Sequence, residues 1–306
     1  MKWLLIICFT LVCCLSFAQQ DNVKITAERN DDNTVTFFYE KNDPGSYVIY
    51  LYFNTLVNAS SSDITQTVKG TKGTLFTLRP IDSKKGIGYG YGYRYLRGVR
   101  KAKVDKSFVY LLPYKNEASA LVKPLNNISE KFFNKERDNN WAAYQFIFQK
   151  EDTICAIRKG KVVDVIDKFD NYKEGLSYST DTNFVLVEHK DGSLAKYSVL
   201  RKGRMMVKKG DMVYPQTPIG VSGSYQANTH EMRLLLYYLS NAEFKRSNNK
   251  KTGKQEASRY TYINPLFYDK GETHSLLPNT TYTSSFLPEI IEKEMSKRER
   301  KRMYKK

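Results

Sequence analysis

Short runs of alternating apolar and polar residues begin at Asn22 and predict β-strands. The runs are VKITAE, TVTFFYE, YVIYLYF and TLFTLRP, separated by RNDDN, KNDPGS and KGTKG. Segments of this length, rich in β-branched and aromatic residues and bounded by Asp, Asn, Gly and Pro, are typical of strands joined by turns. Residues 19–112 are therefore predicted to form an all-β, sandwich-like domain that ends at SFVYLLPYK.

One of these strands has an unusual composition, GIGYGYGYRYLRG, in which glycine and tyrosine alternate over 88–93 within a tyrosine-rich stretch over 89–95. Because side chains alternate along a strand, glycines are expected on one face and a row of tyrosines on the other. A tyrosine row can stack on sugar rings. A packed or edge strand is the more ordinary interpretation, and the sequence alone favours it.

The alternation stops at residues 113–140, which contain Pro, Asn and mixed charge and are predicted to be a connector. A short helix over SEKFFNKE, capped by Ser129, fits inside it. The β pattern resumes after Trp141, predicting a second β domain over 141–288. The last segment, 289–306, is strongly basic and is predicted to be a solvated helix end or a disordered arm.

The chain begins with Met1-Lys2, an apolar run WLLIICFTLVCCLSF, and Ala18-Gln19. This is the pattern of a secretory signal peptide, predicted over residues 1–18, and the run is too short for a membrane span. Lipid attachment at Cys14 is the rival interpretation. We expect an exported protein of the periplasm or cell surface, with no membrane-spanning segment in the mature chain.

Charge and cysteine content restrict the partners. The chain carries 49 Lys and Arg against 32 Asp and Glu, a formal net charge of +17. An exported cationic protein suits anionic envelope surfaces, which the basic tail is placed to contact, whereas nucleic acid is not an expected partner outside the cell. Only Cys155 follows the signal peptide, so no internal disulfide is possible, and in its apolar strand it is predicted to be a core residue.

Four segments between 141 and 240 carry a specific resemblance: EDTICAIRKGKVVDVIDK, NFVLVEHKDGSLAKYSVL, VKKGDMVYPQTPIGVSGS and THEMRLLL. In order and spacing they resemble lysostaphin-type (LytM-type) zinc endopeptidases, with Gln216 in place of the middle glycine of the third motif. The resemblance implies a mainly β fold class: an N-terminal sandwich-like domain followed by an antiparallel β domain of the LytM type, similar to a duplicated hybrid motif. The glycines and prolines of these motifs specify turns and strands, not chemistry.

In the resembled family, zinc is held by a His-x-x-x-Asp pair and by the second His of His-x-His, and two further histidines assist. Carried over one by one, the three ligand positions fall on Ala142, Phe146 and Met232. The assisting positions fall on Val199, within Tyr197-Ser198-Val199-Leu200, and on His230. The first histidine of the chain is His189, so no register supplies an upstream histidine ligand.

Strand alternation places His230 and Met232 on one face, with Glu231 and Arg233 on the other. A thioether is a soft, neutral donor that suits zinc poorly. We therefore expect no cofactor and no metal-activated water, and we expect His230 to be either a remnant of an old groove or a partly buried histidine with a backbone partner. The groove candidates are Ala142, Phe146, Tyr197, Val199, His230 and Met232.

Other features have ordinary interpretations. His189 precedes Asp191-Gly192, a favoured hairpin dipeptide, and is predicted to flank a turn. His274 lies beside Glu272 in a polar loop, which is weak evidence for a ligand. The basic loop 245–251 departs from the resembled family and is interpreted as solvated or anion-facing.

Three functions remain open. The first is a catalytically silent LytM-like protein that binds peptidoglycan or a partner protein through an apolar groove built from Phe146, Val199 and Met232. The second is an active metalloendopeptidase with zinc held by other residues, such as His230, Glu231 and His274. The third is a structural or adhesive envelope module in which the tyrosine-rich domain matters most.

Overall fold

The computed structural model describes residues 22–124, 143–170, 181–225, 229–244 and 259–303. The predicted signal peptide, the predicted helix over SEKFFNKE, Ala142 and the basic loop 245–251 lie outside these ranges. Over the described residues the chain is mainly β with antiparallel sheets, as the sequence predicts. In the same ranges no helix combines the length and the apolar character needed to cross a membrane.

The elements follow one another as a long series of strands and end in two short helices. The strands up to the first gap are β1 (Val23–Arg29), β2 (Val35–Lys41), β3 (Tyr47–Val57), β4 (Ile64–Val68), β5 (Lys72–Leu78), β6 (Gly88–Arg97), β7 (Val109–Tyr110) and β8 (Ser119–Pro124). The next are β9 (Ala143–Phe148), β10 (Thr153–Cys155), β11 (Gly160–Ile166), β12 (Phe184–Glu188), β13 (Leu194–Ser198), β14 (Met212–Val213), β15 (Pro218–Val221) and β16 (His230–Leu239). The last are β17 (Tyr260–Tyr262), β18 (Leu266–Asp269), β19 (Glu272–His274), β20 (Thr280–Thr283), α1 (Pro288–Glu292) and α2 (Lys297–Met303).

The first domain is a sandwich of two three-stranded antiparallel sheets, β1-β2-β5 and β4-β3-β6. Their inner faces share one apolar core. Phe37 of the first sheet contacts Phe53 and Tyr91 of the second edge to face, with ring centroids 5.7 and 5.1 Å apart. The predicted sandwich is confirmed.

The tyrosine row of β6 packs against this core and is half-buried. The hydroxyls of Tyr91 and Tyr93 donate to backbone carbonyls of β1 at 3.2 and 3.3 Å. The glycine face is covered from the neighbouring strand, since a Cβ on Gly92 would lie 2.4 Å from the hydroxyl oxygen of Tyr52. The packed-strand interpretation is confirmed, because the row packs against the sandwich core.

The second domain is built on a nine-stranded sheet of order β14-β11-β12-β13-β16-β9-β8-β20, with β17 paired to β16. The smaller sheets β10-β15 and β19-β18-β7 lie outside it. The larger core covers one face of β9 and β16, where Phe146, Met232 and Leu234 are fully buried. This sheet places the candidate site at the β9–β16 pair.

The hairpin between β12 and β13 confirms the prediction from Asp191-Gly192. Gly192 has φ +87°, and the Asp191 carboxylate accepts the backbone N–H of Ser193 at 3.0 Å. His189 flanks this turn as predicted. Its ring is buried, and its Nδ1 lies 2.9 Å from the carbonyl oxygen of Lys159.

Residues near the predicted connector belong to the second domain. Phe108, Tyr110 and Leu112 pack in the larger core, although the sequence groups them with the first domain. The beginning of the connector forms β8, which pairs with β9 on one side and β20 on the other. The physical reason is a short apolar alternation: Ala120 and Val122 point into the core, and flanking prolines conceal the pattern in the sequence.

The described part of the basic tail ends in an exposed helix, which agrees with the predicted solvated helix end, and it is anchored to the second domain, which corrects the alternative of a disordered arm. Arg158 donates from Nε and Nη2 to the Glu294 carboxylate at 2.9 and 2.7 Å, and its own side chain is 3% exposed. Lys159 contacts Glu299 at 2.8 Å, and Met295 is buried. Acidic residues inside a basic segment thus hold it to the second domain.

Helix α2 begins with a capping box. The backbone N–H of Ser296 donates to the Glu299 carboxylate at 2.7 Å, and the Glu299 N–H lies 3.3 Å from the Ser296 hydroxyl. This reciprocal pair satisfies two backbone donors that an uncapped helix leaves unpaired. The exposed side of α2 carries the cationic residues Lys297, Arg298, Arg300, Lys301 and Arg302.

Polar contacts join the two domains. Arg97 of β6 pairs with Asp43 at 2.9 Å and reaches Asp164 of the second domain at 3.6 Å. The Glu188 carboxylate accepts the backbone N–H of Ser46 at 2.7 Å. The sandwich therefore lies against the sheet face opposite the larger core.

Candidate functional site

The strand register brings two of the sequence-predicted site positions together. In the antiparallel pair of β9 and β16, Phe146 stands directly opposite Met232. Both side chains are fully buried in the larger core, and the ring of Tyr114 contacts Phe146 edge to face at 5.8 Å. The two positions that correspond to metal ligands in the resembled family are thus cross-strand neighbours occupied by carbon and sulfur.

Val199 follows β13 in a strained conformation. Its φ is +64°, a region that β-branched residues rarely adopt. The backbone is held by two hydrogen bonds: the Val199 N–H donates to the Thr182 hydroxyl at 3.0 Å, and its carbonyl accepts the Gly223 N–H at 2.8 Å. A Cβ on Gly223 would lie 2.5 Å from that carbonyl oxygen, so only glycine permits the approach.

Tyr197 has a structural role. It is fully buried, and its hydroxyl accepts the backbone N–H of Ile157 at 2.9 Å. Burial raises the pKa of the phenol far above its usual value, so it stays protonated. Cys155 is also a core residue as predicted: burial raises the pKa of its thiol to about 12.

His230 is the groove candidate that lies at an opening. It is half-exposed and lines a cleft of about 420 Å³, named here the His230 cleft. The cleft is further lined by Glu151, Asp170, Arg201, Lys202, Ser222, Gly223 and Ser224. Its walls carry charges of both signs, with Glu151 in contact with Arg201 and Asp170 2.9 Å from Lys202.

The expectation of an apolar groove is wrong. Phe146, Val199 and Met232 have no exposed surface and cannot touch a ligand from solvent. The apolar character that suggested a contact surface reflects burial in the core, and the opening beside it is polar. Ala142 lies outside the described residues.

The opposite face of β16 carries buried charge. Glu231 and Arg233 point away from the larger core, as strand alternation predicts, and they are 6% exposed. Arg233 pairs with Glu231 at 3.2 Å and lies over the ring of Tyr225, while Gln145 donates to Glu231. Burial raises the pKa of the Glu231 carboxyl against the opposing effect of Arg233.

The alternative ligand set is not brought together. Glu231 faces away from the His230 cleft, and His274 lies on β19, paired with Phe267 in another sheet. Its ring nitrogen Nε2 is 3.8 Å from Asp269. Within the ranges that the structure describes, no three His, Cys, Asp or Glu side chains converge on a common point.

Sequence reasoning missed the charged lining of the cleft. Arg201 and Lys202 directly follow the Tyr197–Leu200 motif, and Ser222 and Ser224 flank a motif glycine. Their positions beside turns of the resembled family are the signal that could have identified them, because loops between strands carry most binding residues.

Comparisons with known proteins give distant structural likenesses. No protein-family model and no curated protein matches the chain. Among solved structures, it is similar to the SpoIIQ–SpoIIIAH pore-forming complex, with 18% identity over 43% of this chain and 85% of that chain and a TM-score of 0.30. It is similar to the deep-sea M23 metalloprotease pseudoalterin, with 13% identity over 57% of this chain and 99% of that chain and a TM-score of 0.29. It is also similar to Helicobacter pylori Csd3, with 13% identity over 72% of this chain and 73% of that chain and a TM-score of 0.29. At these TM-scores the likenesses establish no common fold, and the geometry of the chain itself must support a function.

Proposed function

We propose that this chain is an exported, catalytically silent protein of the LytM type that binds an envelope peptide in the His230 cleft without cleaving it. The observation that supports this most is the register of β9 and β16. It places Phe146 opposite Met232, so two positions that the motif comparison treats as metal ligands do adjoin each other in this chain. A spurious motif match would have no reason to produce that pairing.

The residues at these positions do not fit zinc. Structural and catalytic zinc sites use Cys, His, Asp or Glu donors, and catalytic zinc has about three of them with one open position. Phe146 has no donor atom, and Met232 offers only a neutral thioether. Both are packed in an apolar core where a dication would lose its hydration without compensation. We therefore propose no hydrolytic step.

The cleft is suited to binding a peptide with charged ends. Its volume of about 420 Å³ lies in the range of small-ligand sites, ~300–1,000 Å³. By exchanging their solvent-exposed ion pairs with each other, Arg201 and Lys202 can contact a carboxylate, and Glu151 and Asp170 an amine. The Ser224 hydroxyl can contact an amide. Peptidoglycan stem peptides and exposed chain ends of an envelope protein share this chemistry. Periplasm or cell surface is the proposed location.

Co-sedimentation with purified peptidoglycan tests the proposal. The Arg201→Ala and Glu151→Ala double variant should bind at least about tenfold less, since each lost charge-assisted contact contributes about 1.5–3 kcal/mol. A matched control is the Arg94→Ala and Glu40→Ala double variant, whose side chains are exposed on the sandwich. Soluble fragments are measured in the same tubes.

Two results would overturn the proposal. Equal binding by both double variants would place recognition outside the cleft. Release of peptide fragments by the wild-type chain, absent with the Arg201 and Glu151 variant, would show that the cleft cleaves its ligand.

A further inference from the structure

A second cavity lies where three parts of the chain meet, and we name it the junction cavity. Its volume is about 340 Å³. The walls come from the sandwich loops at Ser46 and Lys69, from Lys161 and Lys190 on the second domain, and from Glu294 of the docked tail. It is separate from the His230 cleft and shares no lining residue with it.

The acidic residues of the junction cavity are already engaged. The two oxygens of Glu188 accept the backbone N–H and the hydroxyl of Ser46. The two oxygens of Glu294 accept Nε and Nη2 of Arg158 at 2.9 and 2.7 Å. These carboxylates therefore do not attract a second cation into the cavity.

Three of the four lysines that line the junction cavity are not neutralised by a carboxylate within the described residues. Lys159 is used by Glu299 at 2.8 Å and by the Glu294 carbonyl at 2.9 Å. Lys69, Lys161 and Lys190 are exposed, and over the described part of the chain none of the three has an ion-pair partner. Three exposed lysines thus line the cavity, Lys69 from the sandwich and Lys161 and Lys190 from the second domain, and the two carboxylates beside them are engaged by Ser46 and Arg158.

The lining also has an apolar part. Met212 is 45% exposed and lines the cavity together with Pro44 and Val163. A free inorganic anion would leave this surface in contact with water. An anionic head with an organic portion would cover it and gain the corresponding burial.

We propose that the junction cavity binds a phosphate ester. Exposed lysines from different elements that line one cavity suit a phosphate better than a carboxylate, because a phosphate offers three or more acceptor oxygens. Helix α2 is in contact with Lys159, a lining residue, through Glu299, and the net positive charge of the chain adds a general attraction for anions. The site does not depend on the function proposed for the cleft.

Calorimetric titration of the full chain without residues 1–18 tests this site. The probes are inorganic phosphate, glycerol 3-phosphate, and vesicles of phosphatidylcholine containing a minor fraction of phosphatidic acid. The site variant is Lys69→Gln with Lys161→Gln and Lys190→Gln. The control is Lys24→Gln with Lys84→Gln and Lys123→Gln, which removes the same charge from exposed lysines elsewhere.

The site variant should bind glycerol 3-phosphate at least about tenfold more weakly than the wild type, and the control less than about twofold. If vesicles, and not the soluble ester, show this difference, the phosphate comes from a lipid headgroup. If the soluble ester shows it, a free or polymeric ester is the source. Equal weakening by both variants, or no binding of any probe by the wild type, would overturn the proposal. Because all six lysines are exposed, the thermal unfolding midpoint should be unchanged in both variants.

Discussion

Two neighbouring regions of the second domain differ in what they can do. Beside the His230 cleft, Phe146 and Met232 are packed in the larger core without exposed surface and are named here the floor. His230, Glu151 and Arg201 line the polar opening and are named the rim. His230 and Met232 are only two residues apart on the same strand face. The floor has the chemistry of a core, and the rim has the chemistry of a binding site.

The largest effect is expected from the floor. Phe146→Ala should lower the free energy of unfolding by about 3–5 kcal/mol, because it removes a fully buried ring and leaves a cavity. Phe286→Ala, at a side chain 46% exposed, is the matched control and should change it by less than about 0.5 kcal/mol. Urea unfolding measures both. A Phe146 effect as small as the control would mean that the floor is not core.

The buried His189 is expected to have the next largest effect, a dependence of the free energy of unfolding on pH. Burial lowers the pKa of His189 to about 4, whereas an unfolded histidine titrates near ~6.5. Between these values the unfolded state binds more protons, so the free energy of unfolding falls as the pH falls from about 6.5 to 4. The expected loss from this group is about 2–3 kcal/mol.

The pH dependence is isolated by comparing variants. His189→Gln should lack this part of the loss, while His230→Gln, at a half-exposed rim residue, serves as the control. Against the effect of burial, Ser193 and Arg158 lower the pKa of the neighbouring Asp191 carboxyl, which also titrates in acid, so the difference between the two pH profiles is the quantity to measure. Identical pH profiles for wild type and His189→Gln would contradict the buried, neutral state.

Substitution of the strained residue Val199 is expected to change the free energy of unfolding by a smaller amount. Val199→Gly loses a buried side chain but relieves a positive φ that costs about 1–3 kcal/mol, so the net loss should be about 1 kcal/mol or less. Val187→Gly removes an equally buried valine without positive φ and should lose roughly 3 kcal/mol. If the two variants are equally destabilised in urea, the strain contributes nothing.

Substitution of the rim residue His230 should change the stability of the fold least. His230→Ala removes a half-exposed ring outside the core and should change the free energy of unfolding by less than about 0.5 kcal/mol. Differential scanning calorimetry is sufficient to detect a larger loss. A loss above about 2 kcal/mol would show that His230 packs as part of the floor.

The sequence predicts what depends on local pattern. Alternation along β16 places Glu231 opposite to Met232, and Asp191-Gly192 predicts the hairpin of β12 and β13; both are confirmed. Docking of the tail was not predictable, because Arg158 and Glu294 are 136 residues apart in sequence and nothing local marks them as partners.

Dependence on contacts between distant segments also explains why the sequence wrongly predicted an apolar groove. Motif spacing identifies Phe146 and Met232 as a pair, but whether a position lies at a surface or in a core depends on how sheets pack. Tyr114, which covers Phe146, comes from a segment predicted to be the start of a connector. The sequence therefore predicts the pair and misses its burial.

Zinc binding tests the central claim most directly. The purified chain is equilibrated with Zn²⁺, freed of unbound metal and analysed by mass spectrometry, with purified peptidoglycan assayed in parallel. The account predicts zinc far below stoichiometric amounts, no released fragments, and no change on His230→Ala. Stoichiometric zinc accompanied by fragment release, with both lost in His230→Ala, would contradict it.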